Sequence, residues 1–378
     1  MTDARARERA PVAVAPRGVR LEWIDAARGY SVAAVVLAHV VLWHAADPGV
    51  PVADVGASLW DRVYSVLGSV RMPVLLAVSG LVVAGRVRAG FRAGGLTVRV
   101  ARNYYLYVVW LLIYAVFYAV VREPGLPHRV DGPLDVLRQL VVPGTTLWYV
   151  FALAVYIAVL GALYRAPAWA VLGGLAVLSV VTATFTTSDQ VWSKVPELAV
   201  FFAIGVYGSG VLRRLAERAS VPLAFAAAFV AAGVTALGRF TAGHDVAGAV
   251  LSLARGTAFL VVAVLVVVLA VRWNPVRRLG LALGRQTLPI YVLHPLWIAL
   301  LIVAAGSVGH DVEAAVLGST LGAILYPAVV GSVVVALCLA VGTGVRRVGL
   351  QVPLFAMPAR WSQAFERADA RTAEPHER

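Results

Sequence analysis

The stretch DAARGYSVAAVVLAH, from Asp25 to His39, carries three ionisable residues into a segment apolar enough to cross a membrane. An α-helix turns by about 100° and rises by about 1.5 Å per residue. Arg28 and His39 therefore lie on one face, about 16 Å apart along the helix axis. Asp25 precedes Arg28 by three residues and lies about 60° away on the same side. The stretch predicts a helix with an ion pair near one membrane surface and an imidazole near mid-membrane.

The composition of the whole chain is that of an integral membrane protein. Of its 378 residues, 60% are hydrophobic and only 14% are charged, whereas soluble domains have about 25% charged residues. The apolar residues form blocks of roughly 20, which is the length that spans about 30 Å of hydrocarbon as a helix. We predict an all-α fold, a polytopic membrane bundle of about ten transmembrane helices. The predicted spans lie near 26–45, 63–85, 103–121, 148–164, 167–185, 195–212, 222–238, 248–271, 286–305 and 315–342.

The net charge of +13 is explained by membrane topology, and we expect no nucleic-acid partner. When the N-terminus is placed in the cytoplasm, most Lys and Arg residues fall in the segments that alternate on that side. The opposite loops hold only Arg62, Arg122, Arg129, Arg138, Lys194 and Arg239. We therefore predict that both termini are cytoplasmic and that the protein is multi-pass in the cell membrane, the inner membrane of a bacterium.

Three regions follow from this pattern. Residues 1–20 are polar and Arg-rich and are predicted to be a disordered cytoplasmic tail, residues 21–345 form the transmembrane domain, and residues 346–378 form a cytoplasmic C-terminal tail. We expect disorder in this last tail beyond about residue 365. The single cysteine, Cys338, lies in an apolar run, which excludes an intrachain disulfide and a thiol metal site. We predict no metal site.

Further arginines lie at or within the predicted spans. Arg99 and Arg102, three residues apart at the cytoplasmic start of span 3, are suited to grip phosphates, although such arginines are usually only positive-inside anchors. Arg71 lies well inside span 2, where it needs an anion or a water-filled cavity. Arg255 in span 8 is similar, but no neighbouring motif supports it. These positions indicate a polar site within the bundle.

Two histidines are candidates for chemistry inside the membrane. Ionisable groups at this depth normally face a cavity or a partner and mark a functional site. His39 could instead be a packing residue whose ring is hydrogen-bonded and has no catalytic role. His294 approaches the depth of His39, but it could instead only bond the helix carbonyls that lose their hydrogen bonds at Pro295. Asp25 and Arg28 could instead form an ion pair at the membrane interface that only fixes the orientation of the helix.

Together these residues resemble a known family. Arg28 and His39, preceded by Trp23-Ile24-Asp25, are similar to the first helix of the acyltransferase-3 family of integral membrane acyltransferases. The resemblance covers roughly residues 20–340 and includes ten spans with both ends inside. The remaining motifs agree in order and spacing: Met72-Pro73 followed by Ser79-Gly80, Arg99 and Arg102 as Arg-x-x-Arg, Leu147-Trp148-Tyr149, Phe201-Phe202-Ala203-Ile204-Gly205, and Ile290-Tyr291 with His294.

The resemblance implies transfer of an acyl group, commonly acetyl, from acyl-coenzyme A to a hydroxyl group. The implied acceptor is a carbohydrate, a glycolipid or a glycosylated natural product, with membrane lipid as surroundings and no permanently bound cofactor. Arg28, Arg99 and Arg102 suit the anionic end of coenzyme A because guanidinium groups bind phosphates bidentately. The neutral arm would then present the thioester near His39.

The predicted catalytic set is His39, Asp25 and His294. His39 acts as general base or accepts the acyl group itself, His294 orients His39 or contacts the acceptor, and Asp25 orients or balances Arg28. The predicted substrate-binding residues are Arg71, Trp148 and Glu197, the last with the alternative of a plain interfacial acid.

Two other classes of protein compete with the enzyme. A secondary transporter of a small anionic or sugar-like solute suits ten spans and buried charges. Such transporters usually contain paired repeats with helices broken at matching positions, and the histidine of span 1 has no counterpart in span 6. A membrane scaffold would leave the stripe from Asp25 to His39 unexplained.

Overall fold

The computed structural model of the protein describes residues 22–44, 52–91, 94–187, 190–241, 245–306 and 310–373. Within these ranges the regular structure is helical and includes no strand, which confirms the predicted all-α class. The predicted N-terminal tail, residues 1–20, lies outside the described residues. The α-helices are α1 (Glu22–Trp43), α2 (Asp54–Ala89), α3 (Leu96–Val120), α4 (Pro133–Gln139), α5 (Trp148–Ala162), α6 (Ala168–Phe185), α7 (Lys194–Tyr207), α8 (Ser209–Glu217), α9 (Val221–Leu237), α10 (Val246–Ala270), α11 (Asn274–Arg285), α12 (Thr287–Ala304), α13 (His310–Gly318), α14 (Thr320–Arg347), α15 (Gln351–Leu354) and α16 (Ala359–Ala373).

Every predicted span coincides with helix in the described chain. Eight helices there are long and apolar enough to cross a membrane, namely α1, α2, α3, α6, α9, α10, α12 and α14. A ninth candidate is the pair α7 and α8, which is bent by 69°. The remaining predicted span, 148–164, corresponds to the shorter apolar helix α5. The polytopic helical bundle is thus confirmed, while ten crossings and two cytoplasmic ends stay predictions.

Two predicted boundaries differ from the observed helices. Helix α2 begins at Asp54 rather than near residue 63, because its first turns carry exposed charged residues that hide the helix from a hydropathy pattern. This extension packs on α14, where the Trp60 indole donates to the Ala323 carbonyl over 3.0 Å. The predicted span 315–342 is interrupted at Ser319, whose hydroxyl accepts from the Gly322 amide over 3.1 Å and caps α14.

The C-terminal tail is ordered further than predicted. Helix α16 continues to Ala373, so the prediction of disorder beyond about residue 365 is wrong for the described part of the tail. Aromatic residues of α3 hold the tail: the Trp110 indole donates to the Leu354 carbonyl over 2.8 Å, and the Tyr105 ring meets the Trp361 ring edge-on with centroids 5.3 Å apart. These aromatic contacts hold the part of the tail that precedes residue 365, and α16 continues from it.

The long connection between α3 and α5 folds back onto the bundle. The Tyr107 hydroxyl donates to the Gln139 carbonyl over 2.5 Å, and the Tyr104 hydroxyl donates to the Leu140 carbonyl over 3.0 Å. The connection then reaches Thr146, which is buried beside α12. Helix α5 begins immediately afterwards, at Trp148, so its first residues lie among the other helices.

A close helix contact joins α2 and α7 through two glycines. A Cβ atom on Gly80 would strike the Phe202 carbonyl oxygen, and one on Gly205 would strike the Ala77 carbonyl oxygen. Small residues let helices in a membrane approach this closely. Two motifs that the sequence analysis found separately, around Ser79-Gly80 and Phe201–Gly205, are thus the two sides of one contact.

We predict that Gly205→Ala destabilises the bundle by about 1–3 kcal/mol, because the added methyl group forces two helix backbones apart. The measurement is the apparent Tm of the detergent-purified protein. Gly173→Ala is the matched control, since a Cβ atom at Gly173 on α6 meets no atom within 4 Å. Equal Tm values for the two variants would contradict the role of the glycine contact.

Candidate active site

Two polar cavities lie inside the bundle and share one wall. The first, here named the arginine cavity, has a volume of about 290 Å³. The second, named the histidine cavity, has a volume of about 450 Å³. Tyr291 of α12 lines both of them. Polar residues of the arginine cavity include Arg28, Ser79, Arg99, Arg102, Asn103 and Tyr149, and those of the histidine cavity include His39, Tyr64, Arg71, His128, Lys194, Glu197 and Arg255.

The arginine cavity brings together Arg28, Arg99 and Arg102, as the sequence predicted. Arg28 reaches it from α1, and the other two come from the first turns of α3. The Nε atom of Arg99 is buried without a hydrogen-bond partner. No carboxylate is found among the described residues that line this cavity. Arg28 has a carboxylate partner outside the cavity, Asp25, and Arg99 and Arg102 are available to an anion.

Asp25 lies apart from the histidines. Its carboxylate is 3.9 Å from the Arg28 guanidinium, and its side chain is 47% exposed. It lines a neighbouring cavity with Arg28 and Arg346, and it lines neither the arginine cavity nor the histidine cavity. The geometry fits the part of the prediction in which Asp25 balances Arg28, and it gives Asp25 no contact with His39.

A hydrogen bond joins the two predicted histidines. His39 Nδ1 and His294 Nε2 are 2.8 Å apart, and His294 Nδ1 is 3.1 Å from the Ile290 carbonyl oxygen. A carbonyl only accepts, so His294 carries its proton on Nδ1. With both rings neutral, His294 Nε2 accepts from His39 Nδ1–H, and His39 Nε2 keeps a free lone pair. This tautomer is the one a general base requires.

The two histidines have different positions relative to the cavity. His39 is half-buried and lines the histidine cavity, whereas His294 is fully buried and lines neither cavity. The His39 ring is also stacked on Trp43, with centroids 3.9 Å apart and planes 9° apart. Of the two roles predicted for His294, the geometry supports the orientation of His39 and not contact with an acceptor.

The three residues predicted to bind the acceptor all lie in the histidine cavity. Arg71, Trp148 and Glu197 line it together with His39. The Arg71 guanidinium lies over the Tyr64 ring, 5.2 Å from its centroid. Glu197 forms an ion pair of 3.0 Å with Lys194, which also lines the cavity.

A pair of tyrosines separates the cavities. The rings of Tyr149 and Tyr291 have centroids 5.2 Å apart, and we call them the tyrosine partition. The Tyr291 hydroxyl donates to the Thr146 carbonyl. The Ser79 hydroxyl donates to the Leu75 carbonyl over 2.7 Å, so it accepts from the Tyr149 hydroxyl over 2.8 Å. Both tyrosines belong to motifs of the family resemblance, Leu147-Trp148-Tyr149 and Ile290-Tyr291, but neither was predicted as a site residue.

His128 is a site residue that the sequence analysis did not select. It lies in the connection after α3, lines the histidine cavity, and its ring centroid is 5.3 Å from that of Trp43. Its φ of 53° is in the left-handed region, which is uncommon for a residue other than glycine. Burial lowers the pKa of His128, and a hydrogen bond with the Gly144 backbone opposes this in part. The one feature of the sequence that could have pointed to His128 is the position of a histidine in a proline-rich loop.

The described residues contain no group of three His, Cys, Asp or Glu side chains that could hold a metal ion. The fold and cavities define a multi-pass helical membrane protein with two cationic cavities, one of which is lined by His39 of a histidine pair.

A family model described as an acyltransferase domain, acyltransferase 3, matches residues 21–343. The match covers well over half of the chain, so the protein belongs to the acyltransferase-3 family and is a membrane acyltransferase. No match was found among curated proteins or solved structures.

We predict that His128→Gln makes stability less dependent on pH. Because the folded pKa of His128 is lowered below its ordinary value of 6.5, the unfolded chain binds more protons as the pH falls through 6.5. Acidification therefore destabilises the folded state, and the loss is absent above that pH. The Tm of the wild type should fall more between pH 7.5 and 5.5 than the Tm of His128→Gln. Parallel decreases would show that His128 does not contribute.

Proposed function

We propose that this protein is an O-acyltransferase that moves an acyl group, with acetyl as the expected case, from acyl-coenzyme A to a hydroxyl of a carbohydrate or glycosylated acceptor. One observation carries the proposal: a cationic chamber and a chamber with a free imidazole lone pair share Tyr291 as a wall. This arrangement provides separate places for an anionic donor and for a base.

The donor would occupy the arginine cavity. Arg28, Arg99 and Arg102 would bind the phosphates of the nucleotide end. The rest of coenzyme A is a long and nearly neutral arm that ends in the thioester. To bring the thioester near His39, the arm would pass the rings of Tyr149 and Tyr291.

The acceptor would occupy the histidine cavity, with one hydroxyl hydrogen-bonded to His39 Nε2. Trp148 offers a flat apolar face and Glu197 offers oxygens that accept from sugar hydroxyls. His39 Nε2 takes the hydroxyl proton while the oxygen attacks the thioester carbonyl carbon, the C–S bond breaks, and the proton passes to the departing thiolate. His294 fixes the tautomer throughout.

A covalent route uses the same atoms. His39 Nε2 attacks the thioester carbonyl carbon, the C–S bond breaks, and coenzyme A leaves as a thiolate, which gives an acylimidazolium that keeps its proton on Nδ1. The acceptor hydroxyl oxygen then attacks the acyl carbon, the C–N bond breaks, Nε2 recovers its lone pair, and the hydroxyl proton goes to the thiolate. Both routes need the free lone pair on Nε2, and they differ in whether an acylated protein forms without acceptor.

We predict that His39→Ala reduces acyl transfer by about 10²- to 10⁴-fold, the range that a general base contributes. The measurement is the transfer of labelled acetyl from acetyl-coenzyme A to glycan acceptors in membranes with equal amounts of inserted protein. His44→Gln is the control, because His44 follows the last residue of α1 and contacts Tyr326 instead of lining the two cavities. Undiminished transfer by His39→Ala would end the proposed role.

Intact-mass measurement separates the two routes. Protein incubated with acetyl-coenzyme A and no acceptor should gain the mass of one acetyl group on the covalent route, and His39→Ala should not. On the general-base route, the wild-type mass stays unchanged while acceptor added later is acetylated only if donor remains.

We predict that Arg99→Gln and Arg102→Gln each raise KM for acyl-coenzyme A about tenfold or more, because each removes a charge-assisted hydrogen bond to phosphate. A smaller change in kcat is expected, since the phosphates lie far from the reacting carbon. Arg88→Gln is the control, as it removes an exposed arginine of α2 that does not line the cavity. An unchanged KM in the first two variants would remove them from donor binding.

A further inference from the structure

The histidine cavity contains more positive charge than a neutral sugar needs. Arg71 reaches it from α2, Arg255 from α10, and Lys194 from the start of α7. The one carboxylate among the described lining residues is Glu197, and it is paired with Lys194 at 3.0 Å. Both arginines are therefore left without a compensating carboxylate in the cavity.

The hydrogen bonds of the two arginines are also incomplete. Arg71 Nη1 and Arg255 Nε are buried atoms that have no hydrogen-bond partner among the described residues. The Arg71 guanidinium lies over the Tyr64 ring. This contact uses the face of the guanidinium and does not provide an acceptor for the N–H groups in the guanidinium plane. A buried charge inside a membrane protein normally pairs with another charge or lines a functional pathway. Two unpaired guanidinium groups in one chamber thus indicate a missing anion.

The anion belongs to the acceptor rather than to the donor. Coenzyme A has its own cationic chamber on the other side of the tyrosine partition, where Arg28, Arg99 and Arg102 converge. The part of the donor that has to reach His39 is its thioester, which carries no charge. A guanidinium in the histidine cavity therefore has no donor phosphate to bind once the donor occupies the arginine cavity.

We propose that the acceptor carries an anionic group, a carboxylate or a phosphate, which Arg71 and Arg255 bind while one of its hydroxyls meets His39. The shape of guanidinium suits both groups, because its parallel N–H bonds match two oxygens of either. This inference rests on the proposed function, since it names the acceptor class for the same site. Arg71 and Arg255 are then acceptor-binding residues that set specificity.

Equilibrium binding to the detergent-purified full chain, without any acyl donor, tests the inference separately from catalysis. The probes are methyl β-D-glucuronide for the carboxylate, glucose 1-phosphate for the phosphate, and methyl β-D-glucoside as the neutral match. We expect the wild type to bind at least one anionic probe about tenfold more tightly than the neutral one, the size of one charge-assisted hydrogen bond. Whichever anionic probe binds identifies the group.

The variants are Arg71→Gln and Arg255→Gln, singly and together. Each single change should reduce the preference for the anion, and the double variant should lose it, with binding of the neutral probe preserved as evidence of folding. Arg239→Gln is the control, because it removes an exposed arginine outside the cavity. Arg71→Lys keeps the charge and should retain part of the preference, which covers the case in which the glutamine variant fails to fold.

Three results would overturn the inference. The first is equal binding of charged and neutral probes, and the second is an anion preference that persists in the double variant. The third is displacement of the anionic probe by coenzyme A, because that would place donor phosphates in this chamber.

The same probes then serve as acceptors with acetyl-coenzyme A. Charge-selective binding without any transfer would retain the inference and contradict the proposed function. Equal transfer to charged and neutral probes, with no binding preference, would retain the proposed function and contradict the inference.

Discussion

The hydrogen bond of 2.8 Å between His39 and His294 joins residues that are 255 positions apart and fixes α1 against α12. Two neutral imidazoles hold a defined tautomer only when a third group decides which nitrogen carries the proton, and the Ile290 carbonyl does this. The two interpretations of His294 from sequence are therefore compatible. The ring bonds a helix carbonyl next to Pro295, and in doing so it presents an acceptor nitrogen to His39.

Local periodicity placed Arg28 and His39 on one face of a helix but did not predict the division into two chambers. The eleven-residue step between Arg28 and His39 places them on one face of α1, and that holds for the observed helix. The structure nevertheless assigns them to different cavities, because a tyrosine from α12 and another from α5 enter between them. The bond from Tyr291 to Thr146 spans 145 positions, and no pattern within one helix encodes such a contact. His128 escaped notice for the same reason, since a loop gives no periodicity from which its direction follows.

Charge on both sides of the partition restricts what crosses it. Opposite charges in a poorly polarisable interior attract more strongly than in water, so an anion is favoured beside the arginines of either chamber and is less favoured beside the rings of Tyr149 and Tyr291. The portion of a donor that passes most easily is uncharged. A thioester at the end of a neutral arm meets this condition, whereas the nucleotide phosphates do not. By the same argument, the anionic acceptor that we propose would stay on its own side.

The glycine contact between α2 and α7 has a consequence for chemistry as well as for packing. Ser79 precedes Gly80 and accepts the hydrogen bond of Tyr149, so the position of one half of the partition depends on how closely α2 approaches α7. A Cβ atom at Gly80 would strike the Phe202 carbonyl and displace Ser79 together with its backbone. Residues that contact neither donor nor acceptor thereby determine the gap between the two rings. The small residues of these motifs are required by the site geometry, because a wider helix separation would move Tyr149 relative to Tyr291 and alter the passage to His39.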